Sequence, residues 1–204
     1  MVEAQLRRRG IDDERVLAAM GAVPRESFVS QAWRHRAYAD SALPIGAGQT
    51  ISQPWIVAAI CQALELSGEE RLLEVGTGSG YSACVLSRLV AGIVSIERHE
   101  PLARAALEAL AALGVENVEI EVGDGSRGIA SQAPFDAIAI HAKAPAAPPT
   151  LLSQLAEGGR LIVPIATGAA DMLTLFRRRG GSLQVDVVGP CRFVPLIGEE
   201  GFSS

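Results

Sequence analysis

Residues 72–81 read LLEVGTGSGY, an apolar run that ends in three glycines spaced two residues apart. The run predicts a buried strand, and Gly76, Gly78 and Gly80 predict a tight turn into a helix. Because glycine has no side chain, such a turn lets a ligand approach the backbone closely. The dinucleotide fingerprint G-x-G-x-x-G does not fit, since the third glycine comes one residue early. The loop by itself leaves three interpretations open: a dinucleotide, a nucleoside or a purely structural turn.

Strand-like and helix-like segments alternate from residue 71 onwards. The predicted strands are 71–75, 92–97, 118–122, 135–141 and 160–165, and the predicted helices are 81–90, 101–113 and 149–155. Short apolar strands that alternate with helices predict an α/β fold with a doubly wound, mostly parallel sheet. The run 171–188 has two strand-like halves about an Arg-Gly-Gly turn, which predicts an antiparallel hairpin at one sheet edge.

The length of 204 residues suggests one domain, residues 1–204. We expect it to have three parts: an N-terminal helical and substrate-loop segment at 1–66, a cofactor-binding βα core at 67–166, and a C-terminal hairpin with a substrate-side tail at 167–204. The N-terminal and C-terminal parts have a less regular hydrophobic pattern than the core, so their structure is predicted from local signals.

The local signals are residues that typically cap or interrupt helices. Residues 2–22 are helical in pattern, with a break at Gly10 and a plausible N-cap at Asp12. Residues 34–51 have neither a helical nor a strand period and predict a long loop. A helix follows, with Ser52 as its N-cap and Pro54 in its first turn. Glycines at 114 and 158 stand where helix C-caps are expected.

Composition excludes several classes of protein. The formal net charge of −5 argues against a nucleic-acid partner, which would need a basic face. The three cysteines are far apart and the three histidines form no zinc pattern, so we expect free thiols in a reducing compartment and no metal. No apolar run approaches the roughly 18 residues that cross a bilayer, and no signal peptide is visible. A soluble cytoplasmic protein without a membrane partner is expected.

Acidic residues stand at the ends of the first three core strands. Glu74 precedes the first glycine, Glu97 ends the second strand, and Asp124 follows the third between two glycines. Carboxylate oxygens at the second position can accept both hydroxyls of a ribose. This set suits S-adenosylmethionine better than NAD, whose short-chain dehydrogenases also need a Tyr and a Lys four residues apart. Tyr81 is followed at that distance by Val85, so the NAD interpretation lacks its catalytic pair.

Seven stretches along the chain carry a family resemblance. They are AVPRESFV (22–29), LPIGAGQTISQP (43–54), LLEVGTGSGYSA (72–83), VGDGSRG (122–128), APFDAIAI (133–140), LAEGGRLIVPI (155–165) and RFVPL (192–196). Through them the chain resembles bacterial protein-L-isoaspartate O-methyltransferases over nearly its whole length. The resemblance implies a class I, Rossmann-like methyltransferase fold with N-terminal helices. It also implies S-adenosylmethionine as co-substrate, no metal, and isoaspartyl-containing proteins or peptides as partners.

The resemblance further implies a reaction and a set of residues. Such enzymes methylate the free carboxylate of L-isoaspartyl residues, and the ester then closes to a succinimide. A carboxylate is already ionised at pH 7, so no general base is required. Ser52 would be the active-site residue, with Thr50 and Gln53 on the same wall, although Ser52 could also be only a helix cap. The implied cofactor contacts are Gly76, Thr77, Gly78, Gly80, Glu97, Asp124 and Gly125, with Glu97 on the ribose and the Asp124 segment on the adenine.

Three departures from the family pattern concern the acceptor. His141-Ala142-Lys143 stands where the family usually has Thr-Ala-Ala, Asp171 where it often has Gln, and Cys191 where Val usually precedes RFVPL. His141 should lie where cofactor and acceptor meet, and we count it among the substrate-binding residues. Two alternatives stay open beside an isoaspartyl methyltransferase. One is a related enzyme acting on an aspartate of a modified peptide, and the other is an inactive S-adenosylmethionine-binding protein.

Overall fold

A seven-stranded sheet forms the centre of the computed structural model, which describes residues 1–168 and 170–203. The strand order is β5-β4-β3-β6-β7-β8-β9. Its strands are β3 (Arg71–Val75), β4 (Gly92–Glu97), β5 (Val118–Val122), β6 (Phe135–Ile140), β7 (Leu155–Ala166), β8 (Asp171–Arg179) and β9 (Ser182–Cys191). Strands β3 to β7 are parallel, whereas β8 and β9 are antiparallel. The predicted mostly parallel sheet with an antiparallel edge hairpin is therefore confirmed.

Helices cover both faces of this sheet. They are α1 (Glu14–Ala22), α2 (Pro54–Ala63), α3 (Tyr81–Leu86), α4 (Glu100–Ala112) and α5 (Pro149–Ser153). Shorter turns lie at Val2–Leu6, Arg7–Arg9, Arg25–Phe28, Gln31–Arg36, Gly125–Arg127 and Ala130–Gln132. Along β3, Leu72 belongs to the apolar core under α1, α2 and α3, while Leu73 and Val75 belong to the core on the opposite face. Burial on both faces explains why the core strands are continuous apolar runs.

Two predicted N-caps were each wrong by one residue. Helix α1 is capped by Asp13, whose carboxylate accepts from the amides of Arg15 and Val16, and not by Asp12. Helix α2 begins at Pro54, so Gln53 holds the N-cap position and no side chain caps the helix. Proline fits the first helical position because it has no N–H to satisfy. Ser52 consequently lies outside the helix.

The C-terminal glycine signals had different outcomes. Gly114 follows α4 in the left-handed conformation, as a helix-ending glycine should. Gly158, expected to end α5, lies inside β7 instead, because that strand already begins at Leu155. Leu155 pairs with Phe135, and the register then shifts before Arg160. The left-handed Gly158 lies within this irregular stretch.

The segment at 34–51 is not the long irregular loop that was predicted. It begins in the 3-10 turn Gln31–Arg36 and ends in an antiparallel hairpin of β1 (Leu43–Gly46) and β2 (Gln49–Ile51). The hairpin packs on the glycine-rich loop: a Cβ built on Gly78 would lie 3.3 Å from Cδ1 of Ile45. This contact brings the end of β2 to the carboxyl end of the large sheet.

Among the described residues, the helices are all too short or too polar to span a membrane. The same residues contain no group of three or more His, Cys, Asp or Glu side chains placed to hold a metal ion.

Candidate active site

A cavity lies at the carboxyl ends of β3, β4 and β6, where ligands bind in open α/β sheets. We call it the nucleoside cavity, after one of the ligand classes that the glycine-rich loop predicts. Its walls come from the glycine-rich loop, the segment after β4, Gly125 after β5, His141 after β6, the β1–β2 hairpin and the C-terminal tail at 194–197. The parallel strands thus bring segments from across the whole chain to one edge of the sheet.

The glycine-rich loop presents its backbone to this cavity. Gly76 and Gly78 have φ values of 93° and 56°, a left-handed conformation that favours glycine. Gly76, Thr77 and Gly78 line the cavity. Gly80, predicted as a ligand contact, is placed elsewhere: it is buried behind the loop, where a Cβ would lie 3.1 Å from that of Ala106 on α4. Its role in the structure is close packing of helix against loop.

Glu97 closes the loop against β4. One carboxylate oxygen accepts from the Gly78 amide and the other from the His99 amide, each at 2.9 Å. The side chain lines the nucleoside cavity and is 5% exposed. Each carboxylate oxygen has a second lone pair, so both can still accept from a ligand.

Asp124 makes contacts that its sequence pattern did not predict. Its carboxylate accepts from the amide and hydroxyl of Ser126 and from the amide of Glu199 in the C-terminal tail. The neighbouring Gly125 lines the cavity, but Asp124 is not among the described residues that do so. In this structure Asp124 therefore holds the tail beside the cavity, and Gly125 forms its wall.

A buried chain of polar groups runs beneath the loop. The hydroxyls of Thr77 and Ser95 are 2.5 Å apart, and the Ser95 hydroxyl donates to Oε2 of Glu74 at 2.5 Å. Glu74 is fully buried, and its Oε1 lies 3.3 Å from Nε2 of His141. That imidazole nitrogen is also 2.9 Å from the hydroxyl of Ser82 at the start of α3. These contacts link the buried Glu74 carboxyl group to the cavity wall.

A second cleft adjoins the nucleoside cavity on the side of α2. We call it the acceptor cleft, after the substrate that the predicted residues Thr50, Ser52 and Gln53 would bind. Its walls include Gln53, Trp55 and Ile56 of the α2 region and residues 190–194 of the tail. Four residues line both spaces: Thr50, Ser52, His141 and Val194. The two spaces therefore meet at this junction, where three of the predicted site residues come together.

Ser52 is positioned through its backbone. Its carbonyl accepts from Nη2 of Arg25 at 2.7 Å, and Nε of the same arginine donates to the Ala37 carbonyl at 2.8 Å. The guanidinium is buried and lies 4.6 Å above the ring of Tyr81. Burial lowers the pKa of Arg25. The Ser52 hydroxyl makes no hydrogen bond within the described residues, so it is available to a ligand at the junction.

The departures at Lys143 and Asp171 contact each other. Lys143 Nζ lies 3.3 Å from Asp171 Oδ1, and Asp171 Oδ2 accepts from the Phe193 amide. Cys191 lines the acceptor cleft. Burial, with a smaller effect of Asp171, raises the pKa of its thiol to about 11. The thiol is thus neutral at pH 7 and a poor nucleophile.

Sequence reasoning missed several cavity residues. Arg98 and His99 line the nucleoside cavity directly after Glu97, and Ile197 lines it from the tail. The position next to Glu97 was a usable signal for the first two. No signal pointed to Ile197, because the tail reaches the cavity through pairing of Pro195 with Lys143, far away in sequence.

Comparison with known proteins identifies the family. The model of the family Protein-L-isoaspartate(D-aspartate) O-methyltransferase (PCMT) matches residues 1–201. A Koribacter versatilis protein-L-isoaspartate O-methyltransferase is 49% identical over 100% of this chain and 91% of its own length. A Pelobacter propionicus protein-L-isoaspartate O-methyltransferase 2 is 52% identical, with 99% and 91% covered. A Plasmodium falciparum structure described as a PCMT in complex with S-adenosyl-L-homocysteine has a TM-score of 0.81 at 27% identity, over 94% of each chain.

The family match covers the N-terminal turns, the sheet and the tail. It therefore includes all four residues that line both the nucleoside cavity and the acceptor cleft. The chain belongs to the protein-L-isoaspartate(D-aspartate) O-methyltransferase family.

Proposed function

We propose that this chain transfers a methyl group from S-adenosylmethionine to the carboxylate of L-isoaspartyl residues in damaged proteins and peptides. The ester would then close to a succinimide and begin repair. The observation that carries the proposal is the junction at which Thr50, Ser52, His141 and Val194 line both spaces. A methyl donor in one space and a carboxylate in the other would meet there.

The residues of the nucleoside cavity fit S-adenosylmethionine. Left-handed glycines bring bare backbone to the wall, and the Glu97 carboxylate can accept from ribose hydroxyls. Nε2 of His99 is buried without a hydrogen-bond partner among the residues described, and a polar ligand group could satisfy it. These features suit a nucleoside with hydroxyl groups and a polar base.

S-adenosylmethionine would supply an electrophilic methyl group bound to a sulfonium sulfur. A bond forms from the carboxylate oxygen to the methyl carbon while the carbon–sulfur bond breaks, and its electron pair stays on sulfur. No proton moves, because the acceptor is already ionised. The contribution of the protein is alignment and exclusion of water. We assign alignment of the carboxylate to the Ser52 hydroxyl, with Thr50, Gln53 and His141 as further substrate contacts.

The acceptor side has room for a peptide and includes arginines. Arg9 and Arg192 line the acceptor cleft, and Arg9 also pairs with Asp40 and lies 4.7 Å above the Trp55 ring. An ionised carboxylate entering this cleft would meet positive charge at its walls and the hydroxyls of Thr50 and Ser52 at its inner end. This distribution favours a carboxylate acceptor over a cationic or uncharged one.

The test is an incubation with S-adenosylmethionine and an isoaspartyl peptide, with the matched aspartyl peptide as control and S-adenosylhomocysteine as the measured product. We expect S-adenosylhomocysteine to form with the isoaspartyl peptide and not with the aspartyl peptide. Product from the aspartyl peptide alone would favour the related enzyme that acts on aspartate. Binding of S-adenosylhomocysteine without turnover of either peptide would refute the repair activity.

A further inference from the structure

His141 is the titratable side chain at the junction of the two spaces. Its side chain is 6% exposed, and the residue lines both the nucleoside cavity and the acceptor cleft. On its inner side, Nε2 faces the Ser82 hydroxyl at 2.9 Å and Oε1 of Glu74 at 3.3 Å.

The contacts of Nε2 determine where a first proton resides. If Nε2 were unprotonated, its lone pair would lie 3.3 Å from a carboxylate oxygen, and the two acceptors would repel each other. Glu74 is fully buried, and its Oε1 has no hydrogen-bond donor in the described part of the chain. The Nε2–H form is therefore favoured in the neutral ring, because it can donate to the Ser82 hydroxyl at 2.9 Å and places the positive end of the N–H bond beside this oxygen.

The protonation of the other ring nitrogen, Nδ1, then determines whether the ring attracts or repels the acceptor carboxylate. Nδ1 makes no hydrogen bond to residues 1–168 or 170–203, and it is not among the buried polar atoms that lack a partner. In the neutral ring Nδ1 is a lone pair, which repels a carboxylate. In the imidazolium it is a donor, and the positive charge lies between the Glu74 carboxylate and the incoming acceptor.

We propose that His141 is a titratable ligand of the acceptor carboxylate, so that the peptide binds to the imidazolium form and its binding takes up a proton. The proposal rests on the proposed carboxyl methyltransferase function. It assigns to this chain an acceptor affinity that falls as the pH rises through the titration range of histidine, about pH 5 to 8.

Other charged groups surround His141 and must be separated from it. Those that line the same spaces or lie close along the chain are Glu74, Glu97, Arg98, His99, Arg9, Cys191, Arg192, Lys143 and Asp171. Arginine keeps its charge over this range, and the Cys191 thiol, with a pKa of about 11, stays neutral. His99 is a second imidazole, but it lines only the nucleoside cavity and not the acceptor cleft. A substitution at His141 is therefore the discriminating change.

The experiment measures peptide binding to the enzyme saturated with S-adenosylhomocysteine, so that no turnover occurs. Calorimetry at several pH values, in two buffers of different ionisation enthalpy, gives affinity and proton uptake together. For the wild type we expect the isoaspartyl peptide to bind about tenfold or more weakly at pH 8.5 than at pH 6.5, with uptake approaching about one proton.

Two variants form a matched pair. His141→Asn places an uncharged amide donor near the position of Nδ1, whereas His141→Gln places it near Nε2. We expect both to bind peptide without proton uptake and with a flat pH profile between 6.5 and 8.5, and His141→Gln to bind more weakly than His141→Asn. Stabilisation by S-adenosylhomocysteine in a thermal melt confirms that each variant is folded.

A wild-type enzyme that binds peptide without proton uptake would overturn the proposal, and this measurement needs no variant. A pH dependence that survives in His141→Asn would overturn it as well, because another group would then be titrating. Failure of the proposed function gives a different result, since the wild type would then form no S-adenosylhomocysteine from the isoaspartyl peptide at any pH.

Discussion

Replacing Ser52 by alanine separates the two roles that the sequence allowed for it. In the structure α2 begins at Pro54 and has no side-chain cap, and the Ser52 hydroxyl has no hydrogen-bond partner within the described residues. The substitution should therefore leave the free energy of unfolding within about 0.5 kcal/mol of the wild type. Asp13→Ala is the matched control, because Asp13 caps α1 with two hydrogen bonds and is not among the residues that line either space.

The effect on catalysis follows from the bond that the hydroxyl would make. A hydrogen bond to a charged acceptor contributes about 1.5–3 kcal/mol. Its loss in Ser52→Ala should lower kcat/KM for the isoaspartyl peptide by about 10- to 150-fold. Asp13→Ala should show the reverse pattern, with about 1 kcal/mol lost from stability and turnover unchanged.

Two longer substitutions at Ser52 sharpen the test. Ser52→Asn moves the donor by roughly an ångström and should cost about 100-fold in rate. Ser52→Asp should be slower still, because a second carboxylate repels that of the substrate at close range. Cofactor affinity should change less than turnover in both variants, since the nucleoside cavity keeps its loop and its acid.

The assays are S-adenosylhomocysteine formation with saturating co-substrate, calorimetry with S-adenosylhomocysteine, and urea unfolding. The reasoning fails if a stable Ser52→Ala or Ser52→Asp enzyme methylates the isoaspartyl peptide at the wild-type rate. The acceptor would then be held elsewhere at the junction, with Thr50 and His141 as the next candidates.

Three further substitutions test the surroundings of the site. Glu97→Ala should weaken S-adenosylhomocysteine binding by about 1.5–3 kcal/mol in calorimetry, because charged hydrogen bonds to the ribose are lost; unchanged affinity would place the ribose elsewhere. Burial opposes ionisation of Asp124, but hydrogen bonds from the amide of Glu199 and from its own turn hold its pKa below the ordinary 3.8. The stability difference between wild type and Asp124→Asn should thus be full above that pH and disappear as the pH falls through the lowered pKa, in urea titrations. Arg25→Lys should lower the midpoint of urea unfolding, since a lysine cannot reach both carbonyls and leaving one unsatisfied costs about 1–3 kcal/mol; an unchanged midpoint would show that the Tyr81 contact alone holds the segment.

Most of the sheet could be predicted from the sequence because its signals are local. Strands β3, β4 and β5 begin and end at their predicted residues. Strands β3 and β4 are buried and read as mostly apolar runs, whereas the edge strand β5 is largely exposed and alternates apolar with acidic residues. The early start of β7 could not be predicted, because it depends on pairing of Leu155 with Phe135 across a register shift. The β1–β2 hairpin was missed for a related reason, since its order comes from packing on Gly78 and not from any period of its own.

Candidate site residues also divide into those with local sequence signals and those placed by distant contacts. Gly76, Gly78 and Glu97 are positioned by the ends of strands that were visible in the sequence, and they line the cavity. Asp124 also lies at the predicted edge of the sheet. Its carboxylate, however, accepts a hydrogen bond from the amide of Glu199, 75 residues further along the chain. A contact between segments that far apart has no local signature, so the alternative use of this acid was invisible before the structure.

The three departures from the family pattern are not equivalent once their contacts are known. Lys143 and Asp171 pair with each other, and Asp171 also accepts from the Phe193 amide, so these two changes compensate locally and hold the tail against the sheet. Cys191 lines the acceptor cleft as a neutral thiol, which fills space without adding charge. His141 alone among them lines both spaces and has a buried carboxylate behind it. We therefore expect a change in how this enzyme selects or binds its acceptor to be traced to His141 before Lys143, Asp171 or Cys191, because the proposed imidazolium would lie beside the reacting carboxylate.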